Sequence, residues 1–236
     1  MALIDWTSVQ KRLHKLGFDP GPIDGIRGRR TIKAVRRFQE SKGLVADGIV
    51  GPNTFHAMFG NTRAGETPKF DQMPWYEEAL RLVGTREIEG PASNKAILDM
   101  AEKLDIAYEN DDIPWCGLFV GHCVGSSLPD ETLPTIVLRA RAWEGFGVPT
   151  EPQLGAIMVF WRQTETSGLG HVGFYFAEDD ASYHVLGGNQ SNMVNVARLE
   201  KNRLLTARWP LSALEPEGNV VLLADVGDTA FSTDES

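Results

Sequence analysis

The sequence predicts an α+β fold in two parts: a small three-helix N-terminal domain, then a larger domain whose helices pack on an antiparallel sheet. Three observations carry this. Residues 1–60 hold an internal repeat with helix caps, residues 75–127 show apolar residues at helical spacing, and from Ala156 onward the period shortens to that of strands. Helices first and strands afterwards indicate α+β. With 236 residues, 42% of them apolar and 23% charged, the chain can hold one large or two smaller domains.

In residues 1–60, Val9, Leu13 and Leu16 share one helical face, and Ile32, Val35 and Phe38 share another. The repeat is DGIRGRRT at residues 24–31 and DGIVGPNT at residues 47–54. Each copy joins an Asp-Gly turn to a second glycine and a Thr or Asn that caps a helix, so a short last helix is expected at residues 54–58. Residues 61–74, NTRAGETPKFDQMP, have linker composition.

Residues 75–83 and 94–104 then read as amphipathic helices, and a third helix starts at Cys116, after DDIPW. Residues 128–150 look loop-rich. Short runs of β-branched and aromatic residues at 156–161, 171–176, 183–186, 193–196 and 204–209 read as strands, which closes the larger domain near residue 210. The tail, residues 211–236, has six acidic and no basic residues and is expected to be partly disordered.

Net charge is −9, unevenly spread. Residues 1–60 carry ten Lys and Arg against five Asp and Glu; the rest carry thirteen against twenty-seven. The basic head suits an anionic polymer, but the acidic body gives no reason to expect nucleic acid as a partner. No apolar run approaches a membrane span and no secretory signal opens the chain, so synthesis in a cytoplasm, with no membrane partner, is the expectation. Cys116 and Cys123, seven residues apart on one helix, lie about 10 Å apart, too far for a disulfide. No zinc-type ligand spacing occurs, and neither a metal nor a cofactor is expected. A monomer is expected.

The chemistry centres on Cys116. At the first turn of a helix, unpaired N–H groups favour a thiolate and can hold a developing oxyanion. Cys123, two turns further in, is a core residue. A cysteine nucleophile needs an imidazole base and a polar group to orient it. His14 and His56 lie in the head, and His122 points away around the helix, which leaves His171 at a strand start as the base and His184 as a weaker rival. Asn189, in LGGNQS, is the first choice of orienter, with Gln190 and His184 as alternatives. Trp115, Trp143 and Trp161 could line a substrate groove, and Asp111 and Asp112 read as solvated loop acids. Gly117, Gly121 and Gly125 form a helix face on which another segment can approach closely.

Two resemblances follow from these residues. Gln10, Gly17-Phe18, the paired DGxxGxxT segments and Phe38-Gln39 resemble the peptidoglycan-binding domain of cell-wall hydrolases, which implies wall binding, with Asp24, Gly25, Asp47 and Gly48 as candidate contacts. PWC before an apolar helix, then GHVGF, then a Gly-Asn turn resemble the CHAP class of cysteine, histidine-dependent amidohydrolases within the papain-like NlpC superfamily. That resemblance implies a papain-like fold over about residues 75–210, with Cys116 as nucleophile, His171 as base and a polar residue on the next strand. The chain departs from many members of that class by carrying Gly187 and Gly188 where an acidic residue precedes the asparagine. Together these features resemble a phage endolysin that waits in the host cytoplasm and cleaves a muramoyl–alanine or peptide amide bond of the bacterial wall. The alternatives are a non-catalytic wall-binding or virion protein, and a thiol acyltransferase or toxin.

Overall fold

The structure is a computed structural model that describes residues 6–48, 50, 54, 57–58, 60–61, 72–88, 92–213 and 222–223. The chain divides into two compact units, the first running to residue 68 and taking in residues 221–228. Most of the expected linker and acidic tail lies outside the described residues.

In the first unit, α1 (Trp6–Lys15) and α2 (Arg29–Ser41) bury Val9, Leu13, Val35 and Phe38 together with Met58. Thr54, Ala57 and Met58 are helical, where the third helix was expected; its other residues fall outside the described set. Gly60–Asn61 pairs antiparallel with Leu222–Leu223. The sequence repeat is also a repeat of hydrogen bonds. Gln10 Oε1 accepts from the N–H groups of Asp24 and Gly25 at 3.1 and 2.9 Å, while its Nε2 donates to Asp24 Oδ1 and Thr31 Oγ1 at 3.0 and 3.2 Å. In the second copy, Gln39 Oε1 accepts from Gly48 N–H at 2.9 Å and its Nε2 donates to Asp47 Oδ1 and Thr54 Oγ1 at 2.8 and 2.9 Å. Both glutamines are buried, so each satisfies a loop whose polar groups would otherwise be stranded.

The second unit is helices on one antiparallel sheet, the predicted α+β class. Its helices are α3 (Pro74–Arg81), α4 (Lys95–Lys103) and α5 (Cys116–Ser127). Six strands among the described residues form the sheet: β1 (Val148–Thr150), β2 (Ile157–Trp161), β3 (Gly170–Glu178), β4 (Ser182–Gly187), β5 (Asn195–Glu200) and β6 (Leu204–Trp209). The order across it is β1-β6-β2-β3-β4-β5, every pair antiparallel. The expected strand at 193–196 is displaced to Asn195–Glu200, since Met193 makes only an isolated bridge to Arg86. β1 falls where only loop was expected; a three-residue edge strand containing Pro149 leaves no alternation to detect.

Helix α5 is buried on all sides from Cys116 to Val124, which is possible only if neighbours approach closely. Its glycines permit that. A Cβ on Gly117 would stand 2.2 Å from the Val137 carbonyl oxygen, one on Gly121 2.4 Å from Val137 Cγ1, and one on Gly125 2.9 Å from Leu104 Cδ2. On the α3 side, Glu78 Oε1 bonds His122 Nε2 at 2.9 Å and also pairs with Arg81, tying α5 to α3. Asp111 corrects an expectation: it is 2% exposed rather than solvated, because its carboxylate accepts from the N–H of Asn94 at 2.7 Å and of Ile88 at 3.3 Å, pinning the loop before α5.

Arg81, and then His122 working against the effect of burial, hold the Glu78 carboxyl at about 2. Its folded value lies below the unfolded one, so the stabilisation is present above pH ~4.3 and is lost as pH falls towards 2. Arg81 is largely exposed, which limits the effect to about 1–2 kcal/mol. Glu78→Gln should lower stability at pH 7 and flatten the acid limb of a urea-unfolding series between pH 5 and 2.5. An unchanged acid limb would remove Glu78 as its source.

Candidate active site

Cys116 opens α5 after Trp115, whose side chain makes no cap. The backbone N–H groups of Val172, Gly117 and Cys116 act on the sulfur and favour its charged form. Val172 follows His171, so the start of α5 packs against the start of β3. The β2–β3 register fixes the second side, with Phe160 opposite His171 and Trp161 opposite Gly170. Cys116 is 4% exposed. Burial pushes it above the ordinary thiol range, and the backbone donors and the Arg162 charge only partly offset that. Burial therefore opposes the thiolate that the helix end was expected to favour. Cys123 is wholly buried and its thiol is pushed up further.

His171 is fully buried, and its Nε2 lies 2.9 Å from Gln190 Oε1. The direction of this bond follows from the other end of the amide. Gln190 Nε2 donates to the Asn195 backbone oxygen at 2.7 Å and to Asn195 Oδ1 at 2.9 Å, with longer contacts to the carbonyls of Gly187 and Val185. Reversing the amide would set its oxygen against all of these acceptors. Oε1 therefore faces the imidazole, Nε2 of His171 carries the proton, and Nδ1 carries the lone pair.

The orienting bond comes from Gln190, the second choice, and not from Asn189. Asn189 sits in the left-handed region at φ 56°, and its side-chain oxygen is buried and accepts no hydrogen bond among the described residues. The turn after β4 buries both side chains and brings that of Gln190 to the imidazole. His184, the third choice, is engaged elsewhere: its Nε2 bonds Asp179 Oδ2 at 2.8 Å, and Arg198 joins the same carboxylate at 2.9 Å. The two glycines are explained by contact. A Cβ on Gly187 would stand 2.8 Å from Gln190 Oε1 and 3.0 Å from His171 Nε2, and one on Gly188 would stand 2.6 Å from Phe119 Cβ and 2.7 Å from the Trp115 ring. An acidic side chain at either position has no room.

The aromatic groove is not formed by the expected residues. Trp115 is fully buried with its Nε1 donating to Glu87 at 2.6 Å, and Trp143 is fully buried with its Nε1 donating to the Val137 carbonyl at 3.0 Å. Trp161 is half-buried, with the Arg203 guanidinium 5.7 Å from its ring centre. The thiol faces instead a cleft of about 400 Å³, whose walls include Leu138, Arg139, Arg141, Arg162 and Leu169. Sequence reasoning missed these arginines as site residues, since they fall in segments read as loop or strand end. A larger cavity of about 620 Å³, along residues 130–136 and 145–147, holds none of the candidate catalytic residues. Among the described residues no group of three or more His, Cys, Asp or Glu is placed to hold a metal ion, and no helix is long and apolar enough to cross a membrane.

Comparison with known proteins bears on the first unit. A family described as a peptidoglycan binding domain matches residues 4–58. The chain carries a peptidoglycan-binding domain at its N-terminus. It is similar to the N-acetylmuramoyl-L-alanine amidase CwlM of Mycobacterium tuberculosis, 42% identical over 55 residues, and to an uncharacterized protein in the bpoA1 3′ region of Kitasatospora aureofaciens, 45% identical over 49 residues. These matches cover 23% and 20% of this chain and span only 14% and 42% of the two relatives. No solved structure matches. In the peptidoglycan-binding domain, Asp24, Gly25, Asp47 and Gly48 all bond to Gln10 or Gln39 within the fold, so their first duty is to shape the two turns.

The thiol geometry can be tested without any substrate. Alkylation by iodoacetamide should modify Cys116 before Cys123 in the native protein. Its rate should rise with an inflection above the ordinary thiol range of about 8.5, since burial disfavours the thiolate. An inflection below pH 7 would contradict the resting thiol.

Proposed function

We propose that this protein is a peptidoglycan hydrolase in which the N-terminal domain holds the wall and Cys116 cleaves an amide bond of its peptides. The reading is supported most by one arrangement: a cysteine at the start of a buried helix packed against the strand that carries a histidine whose tautomer is set by Gln190. The peptidoglycan-binding domain supports the polymer, and the amidase name of one relative, shared over a short stretch only, is consistent with it.

In this reading the thiol proton passes to Nδ1 of His171 as the sulfur attacks the carbonyl carbon. Burial raises the pKa of the thiol, so the proton is transferred in concert with attack and no preformed ion pair is required. The carbonyl π electrons move onto oxygen, and the N–H groups of the first turn of α5 hold the oxyanion. Collapse of the tetrahedral intermediate expels the amine, which takes the proton from His171 and leaves a thioester on Cys116. Water, deprotonated by His171, then releases the acid and restores the thiol. Gln190 keeps the ring in place through both steps, accepting from Nε2 and stabilising the transient imidazolium.

Cys116→Ala should abolish turbidity loss of permeabilised cells while leaving sedimentation with purified walls unchanged. Lysis retained by that variant would exclude Cys116 as nucleophile. Gln190→Ala should lower kcat by about 10–100-fold, a larger loss than Asn189→Ala. The reverse order would return the orienting role to Asn189. Loss of wall binding without loss of cleavage would be the result for substitutions confined to the N-terminal domain.

A further inference from the structure

The cleft beside Cys116 has a sign. Arg139, Arg141 and Arg162 line it, and no acidic side chain does. This is not a reflection of composition, because residues 61–236 carry thirteen basic against twenty-seven acidic residues. Arg141 is balanced locally: it pairs with Glu144 and its Nη1 donates to the Glu165 carbonyl at 3.0 Å. Arg139 is exposed at the rim and takes part in none of the ion pairs among the described residues. Arg162 is half-buried, and its charge reaches the thiol from the β2 side. The first turn of α5 adds the positive end of its backbone dipole at the same place. Two guanidinium groups at the mouth of one small cleft, with apolar Leu138 and Leu169 beside them, suit a short peptide that bears an anionic group on an otherwise uncharged stem.

We propose that this cleft selects amide substrates carrying a free carboxylate beside the scissile bond, with Arg139 and Arg162 receiving that carboxylate. The proposal rests on the thiol-hydrolase reading and extends it from the type of bond to the class of substrate. Murein peptides carry carboxylates that can be free or converted to primary amides, and the cleft distinguishes the two by charge. An amidated peptide keeps the shape but offers an N–H group to donors that need an acceptor.

The test compares two synthetic murein peptides with the full chain, identical except that the side carboxylates are free acids in one and primary amides in the other. The free-acid peptide should be cleaved with a kcat/KM about tenfold higher, the difference lying in KM. Arg139→Gln should bring the ratio to within about twofold of one, and Arg139→Lys should restore part of it. Equal cleavage of both peptides by the wild-type protein would overturn the proposal and leave the hydrolase reading standing. A preference that survives both Arg139→Gln and Arg162→Gln would overturn the assignment to these residues. Failure to cleave either peptide or whole murein would overturn the proposal together with the reading beneath it.

Discussion

The candidate site depends on the direction of a single amide. Gln190 cannot turn its NH₂ towards His171, because the Asn195 backbone and side-chain oxygens hold that group on the far side. Its oxygen is left to face the ring, so one nitrogen of His171 is a donor and the other a base. The proton position that a cysteine hydrolase needs is set by hydrogen bonds made some distance from the thiol. Everything nearby respects this arrangement. Gly187 and Gly188 are bare because any side chain there would strike the His171–Gln190 pair or the Trp115 ring.

Buried glutamines organise the two units in a similar way. Gln10 and Gln39 each reach across a turn, accept from its backbone N–H groups and donate to an Asp carboxylate and a Thr hydroxyl. Gln190 likewise ties down the turn after β4, accepting from the imidazole and donating to the backbone and side-chain oxygens of Asn195. A neutral amide with both donor and acceptor capacity can satisfy a buried loop without the desolvation cost of a charge. The second recurring device is the glycine face of α5, which lets the backbone at Val137 and Leu138 close over the helix and leaves the thiol at the cleft floor.

Periodicity and punctuation made much of this legible. The repeat in residues 24–54, the start of α5 at Cys116 and the strands carrying His171 and His184 follow from local chemistry, and the α+β class follows from their order. What escaped was set by tertiary contact. Choosing between Asn189 and Gln190 requires knowing which side chain reaches the ring: Gln190 bonds it, while the side-chain oxygen of Asn189, a residue at positive φ, is buried and accepts no hydrogen bond among the described residues. Trp115 and Trp143 look like groove residues by type, but their indole N–H groups find Glu87 and the Val137 carbonyl inside the fold. Asp111 looks solvated by composition and is buried because two backbone N–H groups converge on it. The thiol shift depends on burial, which no helix-end argument contains.

The proposed wall hydrolase joins a peptidoglycan-binding domain to a unit with a buried cysteine, an oriented histidine and an arginine-lined cleft. In the proposed mechanism Cys116 forms a covalent bond to the acyl part of a murein peptide. The direct measurement is mass spectrometry of the full chain, acid-quenched within the first turnover on a murein peptide and then proteolysed. A thioester-linked acyl fragment on the peptide containing Cys116 is the expected result. Complete cleavage of the substrate with Cys116 unmodified at every quench time would contradict it.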